Sequence, residues 1–260
     1  MTVTQAGDLL ATWEAGLGHD GPGRALLLHR AARPELDGAG PDGAALLALP
    51  VGAREADLFA LRRALFGERM QVRLDCSACG ADMEFDLDAG EFARSLRPPD
   101  QPVVQLTEGG WDVAFRVPTV ADLTAAARHP DAALFADGAR RALLARCVVS
   151  AVRDGVAVAV DVPDVLEVLP ESVQRKISEA AEAVDPAADV TLNINCPECD
   201  AATRAELDIA SYLWTELDAW ARDVLLDVHL LATAYGWSEP EILALSPLRR
   251  RYYLELCADA

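Results

Sequence analysis

The segment Cys76-Ser77-Ala78-Cys79 and the segment Cys196-Pro197-Glu198-Cys199, 120 positions later, share the pattern Cys-x-x-Cys. Each Cys-x-x-Cys turn presents two thiolates, and Zn²⁺ prefers four sulfur or nitrogen ligands arranged as a tetrahedron. Because the two turns together supply four thiolates, we predict that they form one tetracysteine zinc site linking two distant parts of the chain. A site closed by four protein ligands leaves no open coordination position, so the predicted zinc is structural.

The similarity between the two segments extends beyond the cysteines. The pairs matched at the same offset are Leu74 and Ile194, Ala81 and Ala201, Leu87 and Leu207, Asp88 and Asp208, and Phe92 and Tyr212. Met83, Phe85 and Leu87 alternate with acidic residues, which is the period of a half-buried strand. We therefore predict a duplicated zinc-ribbon half, made of strand, turn and strand. We expect its acidic strand face to lie in water, and a cation site on that face is the alternative.

Two other interpretations of the cysteines remain open. One Cys-x-x-Cys could be a redox motif, although such a motif normally lies at the start of a helix, where the helix lowers a thiol pKa. The cysteines could also form two disulfides, which the absence of a secretory signal disfavours. The gap between the pairs is longer than in most zinc sites. Both motifs lie between strand-like segments, and this favours the metal site.

Net charge limits the classes of function. The formal charge is −19 and the sequence pI is about 4.5. Nucleic-acid binding requires a concentrated basic surface, so this balance argues against a nucleic-acid partner. A zinc-ribbon regulator that binds nucleic acid is kept as the alternative hypothesis, because transcription is a common role of zinc ribbons.

The cellular compartment is inferred from the N-terminus and the cysteines. Residues 1–18 contain neither a basic n-region nor a continuous apolar region, so we expect no secretory signal. No apolar run approaches the roughly 18 residues of a membrane span. The remaining cysteines, Cys147 and Cys257, are expected to be reduced, with Cys147 in the core. These features predict a cytoplasmic protein.

Apolar periodicity predicts an α+β fold that is mostly helical. The strongest pattern predicts a helix over residues 209–235, about 40 Å long. Further helices are predicted over residues 8–17, 53–66, 119–129, 137–152 and 170–184, and from Ser238 and Ser246. Residues 21–43 are predicted to be mostly loop, with His29 on the surface. The expected β structure is the duplicated β-hairpin zinc ribbon and one additional β-hairpin over residues 103–117.

These elements suggest three parts. Residues 1–45 form an N-terminal helix and loop region, and residues 46–97 with 187–260 form a zinc-ribbon core with C-terminal helices. Residues 98–186 form an inserted lobe of one hairpin and several helices, which begins at the Pro98-Pro99 pair.

A candidate partner surface lies near the C-terminus. It consists of aromatic residues and the densest basic cluster of the chain: Tyr235, Trp237, Arg249, Arg250, Arg251, Tyr252 and Tyr253. Tyrosine, tryptophan and arginine are enriched at interface hot spots. The other interpretation is a helix surface whose arginines pair with the protein's own carboxylates.

No sequence motif of an enzyme is present. The chain lacks GxSxG, a Walker loop, GxGxxG followed by an acidic residue, and HExxH. None of the four histidines pairs by spacing with a cysteine or another histidine. We therefore predict a protein that is not an enzyme and has no catalytic residues. A hydrolase is kept as a third hypothesis, because absent motifs are weak evidence.

Several stretches resemble a known family. They are the helix Leu58-Phe59-Ala60-Leu61-Arg62-Arg63-Ala64-Leu65-Phe66-Gly67, both Cys-x-x-Cys hairpins, and the C-terminal segments Ala234-Tyr235-Gly236-Trp237-Ser238-Glu239 and Arg249-Arg250-Arg251-Tyr252-Tyr253-Leu254. Together these stretches are similar to the baseplate hub assembly chaperones of contractile-tailed phages and phage-like contractile injection systems. The resemblance covers most of residues 46–257 and is strongest in the C-terminal third.

The resemblance implies a non-enzymatic protein that assists hub or baseplate assembly or remains within the baseplate. Its implied partners are tail, baseplate or hub proteins, and it would act in the cytoplasm or within a tail-like particle. The family's zinc knuckles would correspond to Cys76, Cys79, Cys196 and Cys199. The resemblance supplies no catalytic residue.

Overall fold

A computed structural model describes residues 6–36, 43–94, 103–135, 137–160 and 165–258 of the chain. Its contacts form two compact units: a terminal unit of residues 1–31 and 209–260, and a central unit of residues 32–208. The predicted boundary at Pro98-Pro99 lies outside the described residues. Contacts do not test which segments fold independently, so the three-part division stays a prediction.

The described residues contain helices and short antiparallel strands. The helices are α1 (Ala6–Gly16), α2 (Gly21–Ala32), α3 (Ala44–Leu47), α4 (Val51–Phe66), α5 (Ala89–Ala93), α6 (Val120–Ala127), α7 (Pro130–Leu134), α8 (Gly138–Cys147), α9 (Val165–Val168), α10 (Glu171–Val184), α11 (Ile209–Tyr235), α12 (Glu239–Leu243) and α13 (Pro247–Ala258). The strands are β1 (Arg69–Asp75), β2 (Asp82–Asp88), β3 (Val103–Glu108), β4 (Trp111–Arg116), β5 (Val148–Arg153), β6 (Val156–Val158), β7 (Thr191–Asn195) and β8 (Ala202–Glu206). The predicted α+β class and the long C-terminal helix are confirmed.

Two segments differ from the sequence predictions. Residues 21–32 form helix α2, because Pro22 is tolerated in the first turn and the following Ala and Leu residues favour a helix. His29 in that helix is buried, so its predicted surface position is wrong. Helix α8 ends at Cys147, and the valines after it form strand β5, whereas a helix through residue 152 was predicted.

Strand β5 turns the predicted hairpin into a four-stranded sheet with the order β3-β4-β5-β6. Val148 pairs with Phe115 and Ala151 pairs with Val113, so β5 completes the ladder of β4. β-branched residues such as Val148 fit a strand that is buried on one face. One face of the sheet packs against α9 and α10, and this core contains Trp111, Val113, Phe115, Leu144, Val148, Ala151, Val165, Leu166, Leu169, Val173 and Ile177.

A buried carboxylate holds β4, α6 and α8 together. Asp122 accepts hydrogen bonds from Arg116 Nη2 and Arg146 Nε, each at 2.9 Å, and from the Thr119 hydroxyl at 2.7 Å. Asp122 also accepts from the Thr119 amide at 3.0 Å, and its own amide donates to Thr119 Oγ1 at 3.3 Å, which forms the capping box that begins α6. Burial raises the pKa of Asp122, but the bonds from Arg116 and Thr119 outweigh burial and hold the pKa well below 3.8.

Helix α4 directly precedes the first cysteine hairpin along the chain. At its N-terminus the Gly52 amide donates to Asp185 Oδ2 at 3.0 Å, so a carboxylate 133 residues away caps the helix. Burial raises the pKa of Asp185, and the Gly52 bond opposes this shift. At its C-terminus Gly67 adopts a φ of +83°, which is strained for residues with a Cβ.

In the terminal unit, α11 packs against α1, α12 and α13. Gly16 of α1 approaches the indole ring of Trp214 so closely that a Cβ would lie 2.3 Å from two ring atoms. The Trp13 indole donates to Asp218 Oδ1 at 2.8 Å. Within the described residues, none of the helices combines the length and the apolar character required to cross a membrane.

Candidate metal centre and partner surface

Each cysteine pair lies in a tight turn between two antiparallel strands. The Cys76 amide donates to the Ala81 carbonyl at 2.8 Å, and the Cys196 amide donates to the Ala201 carbonyl at 3.0 Å. The residues that follow the second cysteine of each pair, Gly80 and Asp200, have φ values of +73° and +59°. The two turns therefore have the same backbone conformation, at positions 120 residues apart.

The flanking strands repeat with the same register. Leu74 pairs with Met83 in the β1-β2 hairpin, and Ile194 pairs with Thr203 in the β7-β8 hairpin. Helices α5 and α11 also begin at corresponding positions, Ala89 and Ile209. The predicted duplication of strand, turn and strand is thus present in the three-dimensional structure.

The four cysteine sulfurs come together, as the sequence predicted. All four Sγ atoms lie within 4.8 Å of one another, and the distances Cys76–Cys199 and Cys79–Cys196 are both 3.7 Å. A tetrahedral zinc ion with Zn–S bonds of about 2.3 Å would separate its sulfurs by about 3.8 Å. The protein atoms therefore fit a tetrathiolate metal site closely.

The alternatives to a metal site are less consistent with this geometry. All six cysteines are free, so no disulfide joins the two hairpins in this structure. Neither Cys-x-x-Cys turn begins a helix, since each connects two strands. A redox motif depends on a helix start or nearby cations to lower a thiol pKa.

Burial divides the four sulfurs into two kinds. Cys76 and Cys196 are buried, whereas Cys79 and Cys199 are exposed. Leu74, Met83, Ala81 and Ala201 pack around the buried pair, and the Thr203 hydroxyl lies 3.8 Å from Cys76 Sγ. Sequence spacing did not indicate Thr203, because its counterpart in the first hairpin is the apolar Met83.

Neighbouring groups shift the thiol pKa values in opposite directions. The backbone amides of Cys79 and Ala78 lower the pKa of Cys76 to about 6. The Ala81 amide lowers the pKa of Cys79, but the adjacent sulfurs of Cys199 and Cys76 outweigh it and raise that pKa to about 12. Four thiols this close resist simultaneous ionisation, because four negative charges would repel one another. A divalent cation would remove that penalty.

Two carboxylates on the outer face of β2 form ion pairs with arginines of β1. Arg69 donates to both carboxylate oxygens of Asp86, at 2.9 and 2.7 Å, and Arg73 pairs with Glu84 at 2.9 Å. These carboxylates belong to exposed ion pairs across the hairpin. The expected solvent-facing acidic strand face agrees with this arrangement.

Three of the candidate partner residues pack on one another. The rings of Tyr235 and Trp237 are stacked with centroids 4.6 Å apart, and Tyr253 meets both rings edge-on at 5.7 and 4.9 Å. The turn that brings Trp237 back over α11 contains Gly236, which has a φ of +70°. These aromatics join α13 to the end of α11.

The three consecutive arginines occupy different environments. Arg250 is buried and donates to Asp227 of α11 at 2.9 Å. Arg251 pairs with Glu255 on the exposed face of α13, and Arg249 is exposed. Among the described residues, Arg249 has no ion-pair partner. Two of the arginines thus pair with the protein's own carboxylates, and the use of any of these residues in partner binding stays a prediction.

Two exposed leucines lie beside Tyr252 in α13 and are not among the residues predicted to bind a partner. Leu248 and Leu256 lie four residues before and after it in α13, and all three side chains are exposed. Their spacing is the signal that could have identified them, since residues four apart share one face of a helix.

A family model described as T4 bacteriophage base plate protein matches residues 38–211 of the chain. The matched residues include all four cysteines of the cluster and end at the beginning of α11. No curated protein and no solved structure matches the chain. The family match is therefore the comparison from which a function can be proposed.

Proposed function

Because the chain belongs to the family of T4 bacteriophage base plate proteins, we propose that it is an assembly factor or structural component of a contractile tail or injection-system baseplate. The family match over residues 38–211 is the observation that carries this proposal. Membership of a structural family favours a role without catalysis. The partner would be another tail, baseplate or hub protein, bound by a helical surface of the terminal unit.

The proposed cofactor is one structural Zn²⁺ ion held by Cys76, Cys79, Cys196 and Cys199. Four thiolates at tetrahedral spacing suit zinc, and the complete set of protein ligands leaves no position for a substrate or water. The ion would fasten the hairpins β1-β2 and β7-β8 to each other. Each is a two-stranded ribbon, which has little independent stability in water.

Metal analysis tests the zinc site directly. We expect elemental mass spectrometry to find one zinc ion per chain in the purified protein. The Cys196→Ser variant should contain no zinc. The matched control is Cys257→Ser, which changes a cysteine outside the cluster and should retain one zinc. Equal metal content in both variants would contradict the site.

Co-expression tests the baseplate role. The tagged chain is produced together with the tail proteins encoded near it, and we expect at least one of them to co-purify after a high-salt wash. A chain that remains monomeric and captures none of them would contradict the proposal. Mass spectrometry of finished particles then distinguishes a retained subunit, which is present, from an assembly factor, which is absent.

A further inference from the structure

One face of α13 exposes a continuous apolar stripe. Leu248, Tyr252 and Leu256 have exposed fractions of 64%, 60% and 61%. They occupy positions i, i+4 and i+8, so they form a row about 12 Å long on one side of the helix. The other side of α13 packs in the terminal unit, where Arg250 pairs with Asp227. The stripe therefore faces solvent, and the opposite face of the same helix is held in place by packing.

Charged groups flank the stripe unevenly. Arg249 lies on one side, and its guanidinium has no ion-pair partner among the described residues. Arg251 lies on the other side and pairs with Glu255 at 2.9 Å. The exposed side chains of α13 therefore carry a net positive charge, although the whole chain carries −19. At physiological salt, exposed charges act over about 8 Å, so the local charge governs what binds there.

We propose that α13 is a docking site for a partner helix whose apolar stripe is flanked by carboxylates. This inference rests on the proposed function and specifies the kind of partner. Side chains of a partner helix would pack between Leu248, Tyr252 and Leu256, as ridges pack into grooves between helices. A carboxylate at the edge of that helix would meet the free guanidinium of Arg249, which can bind both of its oxygens.

Other occupants fit the face less well. A second copy of the chain would bring the same net positive face against itself, so like charges would lie opposite each other. A nucleic acid would place phosphates against three apolar side chains, and Arg249 alone cannot supply the several basic contacts that phosphate binding needs. An acidic amphipathic helix satisfies both the apolar row and the unpaired cation.

Synthetic peptides provide the probe. Two fluorescent helical peptides carry the same row of leucines at every fourth position, flanked by glutamates in one peptide and by lysines in the other. Fluorescence anisotropy measures their binding to the full-length protein. The overall charge of the chain favours the lysine peptide, so tighter binding of the glutamate peptide would require a local basic site. We expect the glutamate peptide to bind more tightly.

Variants locate the bound peptide. We expect Leu248→Ser and Leu256→Ser each to weaken binding of the glutamate peptide about tenfold, because the contact loses most of one leucine side chain. Arg249→Glu should weaken it roughly fivefold and reduce the preference for glutamate over lysine. The matched controls are Leu134→Ser in α7 and Arg175→Glu in α10, which change an equally exposed leucine and an exposed arginine elsewhere. Circular dichroism checks that every variant is folded.

Several results would overturn the proposal. The first is that the glutamate peptide does not bind, and the second is that the control variants weaken its binding as much as the α13 variants do. The third is that the lysine peptide or a DNA duplex binds more tightly and that this binding depends on α13. The fourth is that sedimentation velocity shows a dimer that Leu248→Ser dissociates. The co-expression experiment separates this inference from the proposed function. If the wild-type chain captures a tail protein and Leu248→Ser captures it equally well, the docking site is wrong and the baseplate role stands. If the glutamate peptide binds α13 but no tail protein is captured, the baseplate role is wrong.

Discussion

The contact between Gly52 and Asp185 gives the sharpest test of the central unit. A Cβ at Gly52 would lie 1.8 Å from Asp185 Oδ1 and 2.6 Å from Cγ, far closer than non-bonded heavy atoms approach. The carboxylate would have to move and would lose the bond from the Gly52 amide. Within the described residues, Oδ1 has no hydrogen-bond partner that could hold the side chain elsewhere. We therefore expect Gly52→Ala to destabilise the protein.

The magnitude follows from two opposing effects. Losing a buried hydrogen bond to a charged acceptor costs about 1.5–3 kcal/mol. Replacing glycine by alanine inside a helix contributes up to about 1 kcal/mol of stability. Gly52→Ala should therefore reduce the free energy of unfolding by about 1–2 kcal/mol. In an Asp185→Ala background the clash is absent, so the same change should be neutral or stabilising by up to about 1 kcal/mol.

Urea unfolding followed by circular dichroism measures the free energies of the four proteins in this cycle. We expect an interaction energy of about 1–3 kcal/mol between the two substitutions. The control is Gly7→Ala, which lies at the second position of α1, as Gly52 does in α4, and has no atom within 4 Å of its added Cβ. If Gly52→Ala costs the same with and without the Asp185 carboxylate, the proposed clash does not exist.

Three further predictions concern buried groups. Asp122→Asn should reduce the free energy of unfolding at pH 7 by about 3 kcal/mol, the low end for breaking a buried ion pair. Because the pKa of Asp122 is lowered in the folded protein, its contribution to stability is present above pH 3.8 and is lost as the pH falls below that value. The unfolding free energies of wild type and variant should therefore converge in acid. Free energies that stay the same distance apart at all pH values would refute this. Gly16→Ala should cost about 1–3 kcal/mol by forcing its Cβ into Trp214, and Trp214→Ala should remove that sensitivity; an unchanged melting temperature on Gly16→Ala would contradict the packing. Burial raises the pKa of Cys147 to about 11, so iodoacetamide at pH 8 should label this thiol only in urea, as peptide mass spectrometry can determine; rapid labelling of the folded protein would disprove its burial.

Elements with one strong local pattern could be predicted from the sequence. Helix α11 begins and ends at the predicted residues because a long apolar stripe with a helical period fits no other structure. The four cysteines were also assigned correctly to one cluster, because each Cys-x-x-Cys turn is a local pattern that supplies two of the four ligands of a zinc site. The family match confirms the baseplate class that the resemblance implied, and the chaperone role stays a prediction.

Other elements depended on contacts between remote residues. The valines from Val148 onward fit a helix or a strand equally well, and their pairing with Phe115 in β4 decides for the strand. Local composition predicted one short element embedded in loop over residues 21–43, but residues 21–32 form a full helix in which Leu28 and His29 are buried. Tertiary packing commonly overrides such weak local preferences.

The sequence by itself determined the α+β class, the long helix and the two Cys-x-x-Cys turns, because periodicity and spacing act over short ranges. Only the tertiary structure decided that one of three adjacent arginines is withdrawn from solvent. Arg250 is buried against Asp227 of α11, whereas Arg251 pairs with Glu255 one turn along its own helix and Arg249 has no ion-pair partner among the described residues. Arginines that are adjacent in the sequence differ in burial because the fold places a carboxylate of another helix beside only one of them.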